Sequence, residues 1–140
     1  MTLITKEALH KKSPQEITKL LYEACINNLE ESKTAILEKN FGKANDRLQK
    51  ANDIIEKLGR GLNYDAGIIA DQLEAIYNYL SDCLIRANTN KDISKVEEVQ
   101  TIIADLSVAW SQALQKNKDI QSKSVKQKAI AYEQNSIYEK

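Results

Sequence analysis

Apolar residues recur at spacings of three and four along four successive stretches of this chain. Ile17, Leu21, Cys25, Leu29 and Ile36 line one face of the first stretch. Ala44, Leu48, Ala51, Ile55, Leu58 and Leu62 do the same in the second. Ile69, Leu73, Ile76, Leu80, Cys83 and Ala87 follow in the third, and Val96, Val99, Ile103, Leu106, Trp110 and Ala113 in the fourth. This period fits the roughly 3.6-residue turn of an α-helix and not the alternation of a strand. A single apolar stripe has nowhere to hide from water, whereas four stripes can bury one another. The stretches are separated by KNFG, GRGLNYD and NTNKD, which are short and rich in the turn formers Gly, Asn and Asp. Connections this short make neighbouring helices antiparallel. The sequence therefore predicts an all-α, antiparallel up-down-up-down four-helix bundle. Its helices have roughly 20 residues and span about 30 Å.

Local signals divide the 140 residues further. Ser13-Pro14-Gln15-Glu16 opens the first helix: a serine N-cap, proline at the first helical position and glutamate placed to close a capping box. Ser94 and Glu97 read as a second capping box, and Gly59-Arg60-Gly61 as a C-cap with its glycine in the left-handed region. Residues 1–12 stand ahead of the bundle as an N-terminal segment with the composition of a short helix. Residues 13–116 form the bundle domain. From Gln115 the period is lost in KNKDIQSKSVKQK, so 117–140 read as a flexible polar linker and tail.

Several function classes drop away on composition. Lysine and arginine together number 20, matched by 20 acids, so no global field draws the chain to nucleic acid or anionic lipid. Lys116, Lys118, Lys123, Lys126 and Lys128 make the tail basic, but Gln and Ser lie between them without a stacking aromatic; they read as a solvated linker. No apolar run is long enough to span or insert into a bilayer, and MTLITKEALHKK lacks the apolar core of a secretory signal. Cys25 and Cys83 sit in helical stripes without metal-ligand spacing and read as buried reduced thiols of a cytoplasmic protein. His10 is the only histidine, and Glu30-Glu31 and Glu97-Glu98 lack the Glu-x-x-His spacing of a di-iron bundle. No phosphate-cradling loop or nucleophile elbow is present. The expectation is a protein without catalysis, metal or cofactor.

What the chemistry leaves over is apolar surface. Tyr22 and Ile26 flank the first stripe, Ile54 the second, Ile68, Tyr77, Tyr79 and Leu84 the third, and Ile102 the fourth. A bundle helix needs about three apolar positions per heptad, and some heptads here carry more. These eight residues are expected to line a groove that binds an amphipathic helix.

The same stretches resemble a known family. SPQEITKLLYEACINNL, ANDRLQKANDIIEKL, IYNYLSDCLIRAN and VEEVQTIIADLSVAWSQAL resemble, in order, the four helices of the flagellin export chaperones of the FliS family. The likeness extends over about residues 13–114. It implies a cytosolic bundle that binds the C-terminal segment of flagellin, prevents its premature polymerisation and delivers it to the flagellar type III export gate. The expected state is a monomer or weak homodimer. A helical adaptor or regulatory protein with another amphipathic client is the alternative.

One departure from the family pattern concerns the tail. The family's A-Y-x-x-N-S segment lies before its first helix, whereas here AYEQNS stands at 131–136. In an antiparallel bundle with an even number of helices both ends share a pole, and a flexible linker over 115–128 spans roughly 20 Å. Ala131, Tyr132, Asn135, Ile137 and Tyr138 are therefore expected to act as a tethered, autoinhibitory cap over the client groove.

Overall fold

A computed structural model describes residues 13–62 and 67–138, with side chains as far as Lys116. The expected short helix within residues 1–12 lies outside the described residues. All the regular structure described is helical: α1 (Pro14–Leu37), α2 (Phe41–Arg60), α3 (Ile68–Asn90) and α4 (Ile93–Tyr138). The chain forms two compact units, residues 1–107 and 108–140. The first contains α1, α2, α3 and the opening turns of α4, and it holds the core described below. In the second, α4 continues as helix to Tyr138, where the loss of apolar period had suggested a flexible linker.

The first helix begins where its cap signal stands. The Ser13 hydroxyl accepts from the Glu16 amide at 3.2 Å, and Pro14 occupies the first helical position. Its far end is a Schellman turn. The Asn40 amide reaches back to the Ala35 carbonyl (2.8 Å) and the Lys39 amide to Ile36 (3.0 Å), with Lys39 left-handed at φ 58°. The α3–α4 turn repeats the device: the Asp92 amide bonds the Ala87 carbonyl (3.0 Å) and Lys91 is left-handed at φ 50°.

Two cap expectations are corrected. The N-cap of α4 is Asp92, not Ser94: the Asp92 carboxylate accepts from the Lys95 amide, and its carbonyl accepts from Val96. A carboxylate favours the positive end of the helix, which gives Asp92 the advantage over a serine two residues later. Gly61 caps α2 by bonding to the Lys57 carbonyl, but its φ is −84°, so it does not use glycine's left-handed freedom. The glycine with positive φ is Gly67, immediately before α3.

The core draws on all four helices. Cys25, Leu29 and Ile36 of α1 are buried; so are Ala44, Leu48, Ala51, Ile55 and Leu58 of α2, and Val96, Val99 and Ile103 of α4. In α3 the stripe is turned from the expected phase: Ala70, Tyr77, Leu80, Cys83, Leu84 and Ala87 are buried, while Ile69 is 64% exposed. Leu73 and Ile76 are only half-buried, as is Trp110 of α4.

Cross-helix contacts identify the neighbours. Cys25 meets the Ala51 carbonyl, and six residues further along α1 Glu31 pairs with Arg47, earlier in α2, at 2.8 Å. Asn88 of α3 donates to Asn45 of α2 at 2.7 Å. Glu30 accepts from Gln100 of α4 at 2.7 Å, and Lys33 lies 4.0 Å from Glu97. Tyr79 of α3 donates to Glu98 of α4 at 2.6 Å.

Candidate functional site

The eight residues expected to line a groove separate into two groups. Tyr22, Tyr77 and Leu84 are core side chains, 2%, 4% and 1% exposed, so the expectation that they lie open on the surface is corrected. The cause is the size of their neighbours. Cys25, Ser32, Ala35, Ala44, Ala51, Ala70 and Ala87 are all small and buried, and the space between them is filled by larger side chains. A count of apolar residues per heptad does not register that volume.

The other five remain reachable: Ile68 and Tyr79 are exposed, and Ile26, Ile54 and Ile102 half-buried. Helical spacing distributes them over three seams. Ile26 is one turn before Glu30 and so lies on the α1–α4 side. Ile54 is seven residues after Arg47, on the α1–α2 side. Ile102 is one turn after Glu98, and Ile68 and Tyr79 are separated by eleven residues, so these three share the α3–α4 side. Helical spacing thus puts Ile68, Tyr79 and Ile102 on one side, with Ile68 and Tyr79 about 16 Å apart along α3.

The structure adds exposed apolar residues that the stripe analysis did not assign to a surface. Ile69 and Ile85 of α3 are 64% and 58% exposed, and Leu37 and Phe41 flank the α1–α2 turn. Of the large apolar side chains that stand exposed among the described residues, Ile68, Ile69, Tyr79 and Ile85 all belong to α3. The signal was present in the sequence, since two phases compete within IIADQLEAIYNYL, but nothing local says which faces inward.

Electrostatics at these seams are those of a scaffold. The bond to the Glu98 carboxylate holds the Tyr79 hydroxyl above the ordinary tyrosine range. The Gln100 amide, then Lys33, holds Glu30 below the ordinary carboxylate range. Burial raises Tyr77, its bond to Tyr22 adding to the shift, and burial also raises Tyr22 against a smaller opposing effect of the same bond. Burial pushes the Cys25 thiol up to about 12, which makes it an inert core group and not a nucleophile. Both cysteines are free and buried. Among the described residues no group of three or more His, Cys, Asp or Glu could hold a metal ion, and no helix is long and apolar enough to cross a membrane.

A cleft of about 400 Å³ lies between α2 and α3. Ile55 and Tyr77 line it together with Glu56, Gly59 and Arg60 from α2 and Glu74, Asn78 and Ser81 from α3. It is open and mixed in polarity. The side chains of Ala131, Tyr132, Asn135, Ile137 and Tyr138, the expected cap, lie outside the described residues; their backbone belongs to the helical run of α4.

Comparison with known proteins gives one consistent likeness. The profile of the family described as flagellar protein FliS matches residues 4–117. The flagellar secretion chaperone FliS of Bacillus subtilis is 30% identical over 114 residues, covering 81% of this chain and 85% of its own. Its counterpart in Vibrio cholerae is 32% identical over 105 residues, covering 74% and 77%. That of Salmonella typhimurium is 27% identical over 109 residues, covering 76% and 81%.

Proposed function

The chain belongs to the flagellar protein FliS family, and from that premise we propose that it is a cytoplasmic export chaperone for flagellin. It binds the C-terminal segment of the newly made subunit, keeps it from polymerising and hands it to the flagellar type III export gate. The bundle is up-down-up-down, and the protein works as a monomer or weak homodimer without a cofactor. Support comes from the relatives' names as flagellar secretion chaperones. The observation that carries the reading is the exposed apolar surface of α3, which spreads over its outward half. Four large apolar side chains on one helix are an unusual cost for a surface that meets only water. A helix-prone client with an apolar face removes that cost, and its own face is covered in return.

The α3–α4 seam with Ile68, Tyr79 and Ile102 is the proposed seat, with Ile26 and Ile54 meeting parts of the client that reach the other seams. The tail motif at 131–136 is proposed to compete with the client, a reading supported by its sequence alone. The test is calorimetric titration of the full-length protein with a peptide of the flagellin C-terminus, followed by circular dichroism. A stoichiometric complex with a gain of helix is expected. Because the formal net charge is zero and the seat is apolar, affinity should change little between about 50 and 200 mM salt. No complex, with another amphipathic helix bound instead, would favour the adaptor reading. Loss of affinity by orders of magnitude with salt would move the site to the basic tail.

A further inference from the structure

The cleft between α2 and α3 joins an apolar floor to acidic rims. Ile55 and Tyr77, both almost fully buried, form the floor. Gly59 leaves it bare, since nothing lies within 4 Å of where a Cβ would stand. Glu56 stands on the α2 side and Glu74 on the α3 side. Both are exposed, and neither makes an ion pair or hydrogen bond among the described residues. Glu30, Glu31 and Asp46, by contrast, each have a basic partner. One turn before Glu56 on the same side of α2, the side-chain oxygen of Asn52 is buried without a hydrogen-bond partner. Three acceptors of this seam thus stand without a donor. Arg60 is the single base in the lining, and it pairs with neither carboxylate among the described residues.

The surroundings have the same sign. The contacts Tyr22–Tyr77 and Cys25–Ala51 set the start of α1, the end of α2 and the start of α3 side by side. This half of the bundle, residues 13–26, 51–62, 67–78 and 101–107, has seven acids and three bases; residues 27–50 and 79–100 have eight of each. A net charge of zero for the whole chain conceals that asymmetry. A cleft with low-dielectric walls and one sign of charge around it draws in the opposite sign. We propose that the cleft is a docking site for a lysine- or arginine-bearing segment of a partner polypeptide, distinct from the apolar seat at the α3–α4 seam and independent of what binds there. The aliphatic stem of such a side chain lies against Ile55, Tyr77 and the bare Gly59, and its charged head donates to Glu56 and Glu74.

The test titrates the full-length protein with a short peptide of leucine, alanine and lysine, and with the same peptide carrying glutamine for lysine. Calorimetry reads affinity, and amide resonances read location. The lysine peptide should bind and shift resonances within 55–60 and 74–81, and the glutamine peptide should bind about tenfold more weakly or not at all. Glu56→Gln and Glu74→Gln should each weaken the lysine peptide by roughly 2- to 5-fold, and Arg60→Gln should tighten it by a similar factor, since it removes the competing cation. All three positions are exposed, so the variants should melt like wild type. No binding of the lysine peptide, equal binding of the two peptides, or shifts confined to Ile68, Tyr79 and Ile102 overturns the proposal. So does a reversal of the three signs, which would mark the cleft as an anion site built on Arg60.

Discussion

Lys39 offers a substitution whose sign can be worked out in advance. It terminates α1 at φ 58°, a region where an L-residue sets its Cβ against the following carbonyl. That conformation costs about 1–2 kcal/mol for a residue other than glycine. Lysine is exposed there and makes no hydrogen bond or ion pair among the described residues, so its side chain returns nothing visible. Replacing it with glycine removes the steric cost and adds about 0.5–1 kcal/mol of lost unfolded-state entropy. Lys39→Gly should therefore stabilise by about 0.5–1 kcal/mol, a rise of a few degrees in melting temperature for a domain of this size. Lys91 is the internal control. It has nearly the same geometry, φ 50°, but its ammonium donates to the Asn88 carbonyl at 2.6 Å and to the Asn88 side chain, at the negative end of α3. Those contacts are worth about 0.5–1.5 kcal/mol each before solvent screening, plus a few tenths from the helix end. Lys91→Gly should come out neutral or destabilising. Lys39→Ala, which keeps its Cβ, should gain nothing. Urea and thermal unfolding of the three variants decide the matter. A destabilised Lys39→Gly, or equal gains at both sites, would refute the account of the turns.

Three further outcomes are expected. Tyr22, Tyr77 and Cys25 all have folded-state pKa values raised from ordinary values of 10.0, 10.0 and 9.0, so their neutral forms are favoured by folding. Their contribution is intact below those ordinary values and is lost as pH rises beyond them; the melting temperature should hold flat to about pH 9 and fall above it, less steeply in the Tyr22→Phe/Tyr77→Phe variant. Trp110 is half-buried, so Trp110→Ala should cost roughly 1–2 kcal/mol, less than the 3–5 typical of a core tryptophan, read from urea denaturation. Removing residues 129–140 should tighten flagellin-peptide binding by about 10- to 100-fold, or roughly 1.4–2.7 kcal/mol, if the tail competes; unchanged affinity in calorimetry would dismiss the competitor.

The bundle was legible because its strongest signals are local or periodic. Ser13, Pro14 and Glu16 act within one turn, and α2 has one apolar phase, so Ala44, Leu48, Ala51, Ile55 and Leu58 were placed correctly. In α3 two phases compete, and hydropathy alone picks the wrong one: Ala70, Tyr77 and Leu84 are buried, while Ile69 is exposed and Leu73 and Ile76 are half-buried. What favours burying Tyr77 over Ile76 is a partner hydroxyl 55 residues away in the chain, which no local window contains. Asp92 was overlooked for a related reason: it belongs to two motifs at once, the end of α3 and the start of α4, and Ser94 matched one of them more conspicuously. Exposed apolar surface was legible in kind, and α3 carries it. Its membership was not, because Tyr22, Tyr77 and Leu84 are buried by the smallness of Cys25, Ser32 and the core alanines, a property of assembled volume.

The two tight turns share an economy that has a mechanical consequence. The amide of Asn40 closes α1, while its carbonyl and side-chain oxygen open α2 by accepting from Ala44 and Lys43. Asp92 does the same between α3 and α4. With one residue serving both helices, there is no slack to absorb a change in length. One inserted residue advances the following helix by about 100° of rotation. At the first turn that would swing Ala44, Leu48, Ala51, Ile55 and Leu58 a quarter-turn away from the core. These two positions act as phase couplings: a substitution there costs at most a cap, about 0.5–2 kcal/mol, whereas an insertion rotates a whole helix out of phase.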